Sequence, residues 1–576
     1  MVSKPSFDKV FRKRIVALTV FFVACFVIIA LKLAYMQILH NKDYQVLANN
    51  QRTDGHTLLA TRGEIKIWDS FANQPYTVAT SDEKILVYAN PSAVKDAEAT
   101  ATKLAELLGM TKAEVLDKIK DNTKKYVVIK KAVPDDVQAK VKDAKLEGID
   151  FDKETSRLYP EGPMLAQLLG FVGYKGDEKV GSAGLELAYE KELAGKSGFL
   201  LQERDSAGRW IFGAKRDREP AIDGDSLILT IDKTIQVKAD EILKKTIDDN
   251  GADSGSVVIM DPKTGQILGM STYPDFDPNN YAKVKDPQVY SNQVTMGAYE
   301  VGSIFKAVTM AAAINEGKIT PETTYTDKGE VNVDGYVIKN SDLKAHGVQT
   351  MTQVLEESLN TGTIFAKQQI GNAKFKEYVD RFGFGKKTGV EVLESPGDLG
   401  NLKGNIEVNY DTASFGQGIN ITPIQMVQAY SALANGGVMV KPYIVKDIIR
   451  QSGKVDEVGK TQTTNVVSAK TASDVSAMLV NVVENGHGKK AKVQGYYVAG
   501  KTGTAQVPLK GGKGYDVNNN IGSFIGYAPV EDPKFVMLFR VNHPRSVKFA
   551  ESTAAPAWGQ LASFLLQYYK VQPTRK

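Results

Sequence analysis

A serine and a lysine three residues apart on a helix share one face, so the amine can reach the hydroxyl and act as its base. Such a pair supports nucleophilic acyl transfer through a covalent intermediate. The sequence contains five pairs with this spacing: Ser6/Lys9, Ser81/Lys84, Ser92/Lys95, Ser303/Lys306 and Ser341/Lys344. Most of them must arise by chance, so the context of each serine has to identify the nucleophile.

Ser303 has the context that acyl transfer requires. It begins an apolar segment whose pattern predicts a helix ending near Gly317. A backbone N–H at a helix start has no intrahelical acceptor and can bind a developing oxyanion. Ser6 precedes an apolar segment predicted to cross a membrane, and Ser341 lies in a polar stretch typical of a turn. Ser303 and Lys306 are therefore the candidate nucleophile and general base.

Two further short patterns accompany a Ser-x-x-Lys nucleophile in one group of serine acyl-transfer enzymes, S-x-N and K-T-G. Ser358-Leu359-Asn360 matches the first. The second occurs at Lys263, Lys387 and Lys501, but the first two copies lie in a predicted hairpin turn and a glycine-rich loop. Lys501 lies on or beside a predicted strand and is followed by Thr502, Gly503 and Thr504. One ordered set therefore remains: Ser303/Lys306, Ser358/Asn360 and Lys501-Thr502-Gly503.

Composition limits the other kinds of chemistry. The chain has 576 residues, 42% apolar and 24% charged, which is typical of a globular protein of two to four domains. Its one cysteine, Cys25, lies in the apolar N-terminal segment, and its five histidines are scattered. We therefore expect neither a disulfide framework nor a metal site, and no cofactor. Most of the net charge of +5 lies before the apolar segment, so a basic nucleic-acid-binding surface is not indicated.

The apolar segment is long enough to span a bilayer. Ile15 to Leu31 contains no charge, and apolar residues resume after Lys32. Five basic residues and one acidic residue precede it, which favours a cytoplasmic N-terminus. A cleaved signal peptide is the alternative, but the segment is long for one and no A-x-A site closes it. We therefore predict a cytoplasmic tail at 1–14 and an uncleaved transmembrane anchor at 15–39.

The exported chain divides into two predicted α/β domains. Residues 40–220 form a mixed region without a catalytic pattern, in which Asp96–Leu108 and Thr111–Lys120 are predicted helices. A turn-rich stretch at 220–225 marks the boundary. The domain at 221–576 begins with a predicted strand, a helix from Thr234 to about Asp249, and a hairpin.

The motifs in this order resemble those of class B penicillin-binding proteins. Tyr299 to Lys306 is similar to their nucleophile motif, with Val301 and Ile304 where proline and threonine are usual, and Ala499 to Gln506 matches their third motif. Further similarity covers nearly the whole chain, in the segments Arg62–Ile65, Arg157–Pro160, Gly184–Glu186, Leu229–Asp232, Ser414–Gly418 and Ser523–Pro529. The resemblance implies a transmembrane helix, a non-catalytic mixed α/β pedestal of the dimerisation type, and a serine β-lactamase-like transpeptidase domain with an antiparallel sheet flanked by helices.

The resemblance also implies roles for the motif residues. Ser303 would attack the penultimate D-Ala of a peptidoglycan stem peptide, and β-lactams would acylate the same oxygen. Lys306 would be the base, with a pKa lowered by burial and by Lys501. Ser358 would relay the proton to the leaving amine, and Asn360 would hold the substrate amide and Lys306. The terminal carboxylate would be bound by Lys501, Thr502 and Thr504, and the N–H groups of Ser303 and Thr504 would form the oxyanion hole.

Asn360 in the second motif is typical of the division (septal) or spore-cortex branch, whereas the elongation branch tends to carry aspartate there. The resemblance implies a plasma (inner) membrane protein with its catalytic domain outside the cytoplasm. Because no glycosyltransferase domain is indicated, the expected partners are a separate SEDS-type glycosyltransferase and other division proteins.

Three other functions remain open at this point. A serine β-lactamase would use Glu394, which follows Asn360 at a spacing where such enzymes keep a deacylating glutamate. A D,D-carboxypeptidase would use the same core with water as acceptor. A non-enzymatic scaffold with a retained fold is the third, but it would have no need of intact motifs or of an unpaired lysine pair.

Overall fold

The computed structural model describes residues 7–35, 53–176, 178–203, 217–508, 514–547 and 549–575. These residues fall into two compact units. The first contains the described parts of 1–60 and 196–223, and the second those of 61–195 and 224–576.

The helices and strands are numbered in chain order. The α-helices are α1 (Phe7–Ala34), α2 (Ala97–Leu108), α3 (Lys112–Ile119), α4 (Asp135–Asp143), α5 (Ala166–Leu169), α6 (Gly184–Ala188), α7 (Glu190–Leu193), α8 (Lys233–Asn250), α9 (Lys306–Asn315), α10 (Met351–Glu356), α11 (Asn360–Arg381), α12 (Glu407–Ala413), α13 (Pro423–Ala434), α14 (Ala469–Glu484) and α15 (Ala554–Tyr568). Short 3₁₀ helices lie at Pro91–Ala93, Pro278–Lys283, Pro287–Tyr290, Gly302–Phe305, Gly400–Leu402, Lys489–Ala491 and Ala550–Ser552.

The strands are β1 (Thr53–Leu58), β2 (Ile65–Asp69), β3 (Gln74–Ala89), β4 (Val127–Val133), β5 (Ile149–Leu158), β6 (Val172–Lys175), β7 (Glu178–Gly181), β8 (Gly198–Glu203), β9 (Asp217–Glu219), β10 (Ser226–Asp232), β11 (Ser254–Met260), β12 (Ile267–Tyr273), β13 (Tyr299–Glu300), β14 (Thr324–Asp327), β15 (Glu330–Val333), β16 (Tyr336–Lys339), β17 (Gly347–Thr350), β18 (Asn420–Ile421), β19 (Val438–Val440), β20 (Val445–Ile449), β21 (Val455–Glu457), β22 (Thr463–Asn465), β23 (Ala499–Pro508), β24 (Tyr515–Ala528) and β25 (Phe535–Asn542).

The first unit contains α1 and an antiparallel sheet in the order β1-β8-β9. Within α1, Arg14–Leu33 is long and apolar enough to cross a membrane, with a mean hydropathy of 2.8, and it is the one such helix in the described residues. Its apolar side chains are exposed in the structure, as expected of a helix whose natural solvent is lipid. The helix therefore agrees with the predicted single-pass anchor up to residue 35, and residues 36–39 of that prediction lie outside the described residues.

In the second unit, the three N-terminal segments of the family resemblance meet at Glu186. Its fully buried carboxylate pairs with Arg62 Nε at 2.6 Å and with Arg157 Nε at 2.6 Å. A buried carboxylate that loses its cations would remain charged without compensation, which typically costs about 3–5 kcal/mol. These segments therefore serve the stability of this region.

A seven-stranded sheet combines strands from distant parts of the chain. Its order is β21-β20-β10-β2-β3-β4, with β5 also paired to β3. β10, which follows the predicted boundary at 220/221, runs parallel to β2. The pairing of β10 with β2 joins the two predicted domains in one sheet, and the domain limits 40–220 and 221–576 stay a prediction.

The core of the C-terminal part is an antiparallel sheet in the order β12-β11-β25-β24-β23. β25 is buried along its length, and its successive side chains point to opposite faces. Val536 and Leu538 join the apolar cluster that includes α9, α13 and α14, whereas Met537 and Phe539 pack with α8 and α15. Helices thus cover both faces, which confirms the predicted fold class.

The local predictions agree with the structure. α2 has Asp96 as its N-cap, and α3 has Thr111 and Glu114 in a capping box. α8 and the hairpin β11–β12 lie where the apolar pattern predicts them, within one or two residues at each end. These elements depend on short-range sequence patterns, from which helices and hairpins can be predicted directly.

Candidate active site

The turn that carries Ser303 is clamped from two sides. Ser303 lies in the 3₁₀ helix Gly302–Phe305 that leads into α9, and its side chain is partly exposed between buried neighbours. The N–H of Gly302 donates to the carbonyl of Gly416 at 3.1 Å. The hydroxyl of Tyr430, on α13, donates to the carbonyl of Ile304 at 2.7 Å. The Ser303 N–H lies in the first turn, where helix geometry supplies no intrahelical acceptor.

The third motif runs along β23 in direct contact with this turn. A Cβ on Gly503 would lie 2.9 Å from the carbonyl oxygen of Val301 and 2.9 Å from Cγ2 of Ile304. Any larger residue would push the strand away from the nucleophile. The glycine of Lys501-Thr502-Gly503 is thus required by the close approach of β23.

Two buried lysines converge on Ser358. Lys501 Nζ donates to Ser358 Oγ at 3.0 Å, and Lys306 Nζ donates to the Ser358 carbonyl and, at 3.4 Å, to Ser358 Oγ. Both lysine side chains are fully buried. The three predicted motifs, which lie far apart in the sequence, therefore meet at one hydroxyl.

Burial changes the protonation of both lysines. Burial, and then the neighbouring charge of Lys501, lowers the pKa of Lys306 well below its ordinary value. Burial alone lowers the pKa of Lys501 to about 7. Two adjacent buried ammonium groups repel each other, so near neutral pH the pair can keep one amine neutral. A neutral Lys306 is what a general base requires.

Ser358 itself has a backbone conformation that is unusual for a serine. It lies between α10 and α11 with φ of +55°, in the left-handed region, which costs about 1–3 kcal/mol for a non-glycine residue. The N–H of Leu359 donates to the carbonyl of Val354 at 2.9 Å and holds this turn closed. This geometry points both the carbonyl and the hydroxyl of Ser358 toward the lysines.

Asn360 has a different partner from the one that the resemblance implied. Its amide nitrogen donates to the carbonyl of Lys339 at 2.9 Å. Among the described residues, the recorded hydrogen bonds of Lys306 Nζ go to Ser358. Asn360 begins α11 two residues after Ser358, and its role toward substrate remains a proposal.

Thr502 and Thr504 differ in their surroundings. Thr502 is buried, and its carbonyl and hydroxyl accept hydrogen bonds from Lys501 Nζ at 3.2 and 3.4 Å. Thr504 is partly exposed, and its hydroxyl accepts the N–H of Ala550 at 3.3 Å. Both residues lie on β23 within three residues of Lys501.

The other copies of the short motifs lie elsewhere. Ser81 is on β3, Ser92 is in a 3₁₀ helix, and Ser341 is exposed between β16 and β17. Lys263 is in the β11–β12 turn, where its amine pairs with Asp532. Lys387 is exposed in a loop. Ser6 lies outside the described residues. The choice of Ser303 and Lys501 by context stays a prediction.

Glu394 is committed to its own loop. Its carboxylate accepts hydrogen bonds from the N–H and hydroxyl of Thr388, at 2.9 and 2.8 Å, and from the N–H of Gly389 at 2.7 Å. The side chain is buried, with a residue exposure of 6%. Both carboxylate oxygens therefore stabilise the turn at 388–389, as a structural residue would.

Sequence reasoning missed two residues that hold the nucleophile. Gly416 lies in a segment noted only for its resemblance, and Tyr430 is one of many aromatic residues in apolar helices. A glycine with φ of +81° could have been suspected from Gly416-Gln417-Gly418, but its contact with Gly302 depends on the tertiary structure. No group of three His, Cys, Asp or Glu side chains in the described residues is arranged to hold a metal ion.

A serine at a helix start, a buried lysine pair and a five-stranded antiparallel sheet covered by helices define a serine acyl-transfer enzyme of the penicillin-recognising type. The chain matches the family described as penicillin binding protein transpeptidase domain over residues 255–562, and the penicillin-binding protein dimerisation domain over residues 57–229. The chain therefore belongs to the class B penicillin-binding proteins.

Its relatives agree with this assignment. It is 34% identical to stage V sporulation protein D of Bacillus subtilis, over 98% of this chain and 87% of the relative. It is 29% identical to the probable peptidoglycan D,D-transpeptidase PbpC of Pseudomonas aeruginosa, over 86% of this chain and 85% of the relative. The crystal structure of penicillin binding protein 3 from Mycobacterium tuberculosis in complex with aztreonam is similar with a TM-score of 0.69 and 26% identity, covering 90% of this chain and 99% of that one.

Proposed function

We propose that this chain is a membrane-anchored peptidoglycan D,D-transpeptidase that cross-links stem peptides through an ester on Ser303. The observation that carries the proposal is the convergence of two fully buried lysines on Ser358, beside a serine at a helix start. This arrangement provides a nucleophile, a base and a proton relay at one place.

In the first half-reaction, neutral Lys306 takes the hydroxyl proton of Ser303 as the oxygen attacks the carbonyl of the penultimate D-Ala. The N–H groups of Ser303 and Thr504 stabilise the oxyanion. The bond to the terminal D-Ala then breaks, and the proton passes through the Ser358 hydroxyl to the leaving amine. The products are free D-Ala and an ester of Ser303.

In the second half-reaction, an amine from another stem peptide attacks the ester. The amine loses a proton to the lysine pair, the ester bond breaks, and Ser303 recovers its proton. The new amide is the cross-link. The lysine pair and Ser358 thus carry a proton away from Ser303 in the first half-reaction and back to it in the second.

Substrate selection depends on the terminal carboxylate. Lys501, Thr502 and Thr504 lie together on β23, and we assign the carboxylate to them. Gly503 belongs to the same site, because its lack of a side chain lets β23 approach the turn that carries Ser303. A bound carboxylate would offset the burial that lowers the pKa of Lys501 to about 7, because an opposite charge favours the ammonium form. β-Lactams carry a comparable carboxylate and would bind the same way.

The structural role of Glu394 argues against a β-lactamase. A deacylating base must be free to activate water, whereas both oxygens of Glu394 accept hydrogen bonds from its own loop. A carboxypeptidase would share every residue named here and would differ in which acceptor reaches the ester.

The cellular role is proposed from the motif, the anchor and the relatives. The single apolar helix and the basic residues before it support a plasma (inner) membrane protein whose catalytic domain is outside the cytoplasm. Asn360 and the relationship to a sporulation protein support septal or sporulation-related synthesis over elongation. The proposed partners are a SEDS-type glycosyltransferase and division proteins.

The test uses the full chain in detergent. Fluorescent penicillin should label the wild-type protein on the peptide that contains Ser303, and Ser303→Ala should not label. Ser341→Ala is the matched control and should label fully. With a D-Ala-D-Ala pentapeptide and a stem-peptide amine, the wild type should release D-Ala and form an amide. Labelling of Ser303→Ala, or release of D-Ala with water as the only acceptor, would contradict the proposal.

A further inference from the structure

The second motif lies at the start of a helix that lacks a cap of its own. α11 begins at Asn360, and the residue before it, Leu359, offers no side-chain acceptor to the first turn. The first N–H groups of a helix need partners from outside it. Another part of the chain must therefore hold this end of α11.

That partner is Asn340, which follows β16. Its side-chain oxygen accepts the N–H of Thr361 at 3.3 Å. The preceding residue, Lys339, provides the carbonyl that accepts the Asn360 amide at 2.9 Å. Two consecutive residues of the β16 end thus hold the first two residues of α11.

Asp327, at the end of β14, accepts hydrogen bonds from both sides of this contact. Its carboxylate accepts hydrogen bonds from the Thr361 hydroxyl at 2.8 Å and the Asn340 amide at 2.9 Å. It also accepts the N–H groups of Gly329 at 3.0 Å and His346 at 2.9 Å. Burial raises the pKa of this carboxyl, but the hydrogen bonds outweigh burial and lower the pKa below its ordinary value. The group therefore stays an acceptor at neutral pH.

The cluster is sealed from solvent. Asp327, Asn340 and Thr361 are 2%, 1% and 7% exposed. The hydroxyl of Tyr325 lies 3.1 Å from that of Thr361, which can accept its proton while donating its own to Asp327. A buried network in which each group is satisfied holds one geometry firmly.

We propose that Asp327, Asn340 and Thr361 are positioning residues for acyl transfer, which hold the start of α11 so that Ser358 faces the lysine pair. Ser358 has a left-handed backbone and needs support from both neighbouring helices. α10 supplies one side through the Leu359–Val354 hydrogen bond, and the Asp327 cluster supplies the other. This inference rests on the acyl-transfer function proposed above.

The experiment measures acylation by penicillin with the full-length protein in detergent. Thr361→Val keeps the shape of the side chain but removes the hydroxyl, and Thr361→Ser retains the hydroxyl. Thr326→Val, at an exposed position on β14, is the matched control. Intact mass gives both the fraction of protein that acylates and the rate of that fraction. A purely structural role would lower the fraction, whereas a positioning role lowers the rate.

We expect Thr361→Val to acylate at least tenfold more slowly than wild type in the fraction that reacts, a loss of about 1.4 kcal/mol in transition-state stabilisation. Thr361→Ser should stay within about threefold of the wild-type rate, and Thr326→Val within about twofold. A Thr361→Val rate within threefold of wild type would overturn the inference. If the wild type itself does not acylate on Ser303, the proposed function fails instead.

Asn340→Ala provides a second route, with Asn332→Ala at an exposed position on β15 as its control. It removes the acceptor of the Thr361 N–H without changing Thr361. Its reacting fraction should also acylate at least tenfold more slowly than wild type. If neither Thr361→Val nor Asn340→Ala folds, the cluster is required for the fold as a whole, and a role specific to positioning the site is wrong.

Discussion

The carbonyl of Gly416 accepts the N–H of Gly302 at 3.1 Å, and the two glycines are in contact through their backbones. A Cβ on Gly416 would lie 2.3 Å from the Gly302 carbonyl oxygen and 2.7 Å from its nitrogen. The position of Ser303 therefore depends on a residue more than a hundred positions later in the chain, because the turn before the nucleophile has no room for a larger neighbour.

Gly416→Ala should displace the nucleophile turn. The substitution adds a backbone collision to a left-handed φ of +81°, and misplacing a reacting group by about 1 Å can slow a reaction by about 100-fold. Stopped-flow acylation by a chromogenic cephalosporin should be at least about tenfold slower. Gly453→Ala is the control, since its φ is +80° and a Cβ there meets open space. Equal rates for the two variants would show that the contact with Gly302 is unimportant.

Lys306→Arg should be nearly inactive toward β-lactams although the positive charge is kept. A guanidinium does not lose its proton in proteins, so it cannot accept the proton of Ser303. Acylation should fall by about 100-fold or more, as expected for loss of a general base. Lys263→Arg, in the exposed turn, should react like wild type. A Lys306→Arg rate within tenfold of wild type would remove Lys306 from the role of base.

The stability of the protein should depend on the buried charge of Lys501. In the folded state its pKa is about 7, whereas in the unfolded chain it is about 10.4. Between these pH values the unfolded chain binds a proton that the folded protein does not, so wild-type stability rises with pH. Below pH 7 both states are protonated, and this contribution does not change with pH.

Lys501→Met removes this proton-binding group and, by removing the neighbouring charge, raises the pKa of Lys306. Both effects reduce the pH dependence of the variant's stability. The difference in Tm, wild type minus Lys501→Met, should therefore increase from pH 7 to pH 10. Lys263→Met, at an exposed site, should show no such trend. A difference that falls with rising pH would mean that Lys501 is not held with a lowered pKa.

Glu394→Gln should leave the lifetime of the penicilloyl ester within about threefold of wild type, under 1 kcal/mol of barrier. The carboxylate supports the turn at Thr388 and Gly389 and is not free to activate water. Loss of the intact-mass adduct over time, after free penicillin is removed, gives the lifetime. A wild-type ester that clears in seconds and is trapped by Glu394→Gln would identify a β-lactamase.

A chain that begins near Lys42 should be soluble without detergent and still react with penicillin. The apolar helix found in the described residues lies before it, at Arg14–Leu33, and the site residues lie in the other compact unit. Size-exclusion chromatography without detergent, followed by labelling, checks this expectation against the full chain. A folded truncated protein that still requires detergent would count against a single anchor.

The sequence by itself determined the features that depend on neighbouring residues. The uncharged run before Lys32, the capping box at Thr111 and the apolar face of α8 each follow from a short pattern, and each is found in the structure. Ser303 is the predicted nucleophile among five serines on the same kind of evidence, because only its surroundings combine an apolar helix with a start that leaves an N–H free. This assignment stays a prediction.

The tertiary structure alone decided which distant groups meet. Lys306 and Lys501 converge on Ser358 only because three elements pack together. Burial in this packing lowers the pKa of both lysines, and the charge of Lys501 lowers that of Lys306 further. The partner of Asn360 is the Lys339 carbonyl rather than Lys306, because β16 lies against the start of α11. β10 pairs with β2 across the predicted domain boundary. Each of these contacts joins segments far apart in the chain, and short patterns carry no information about such pairings.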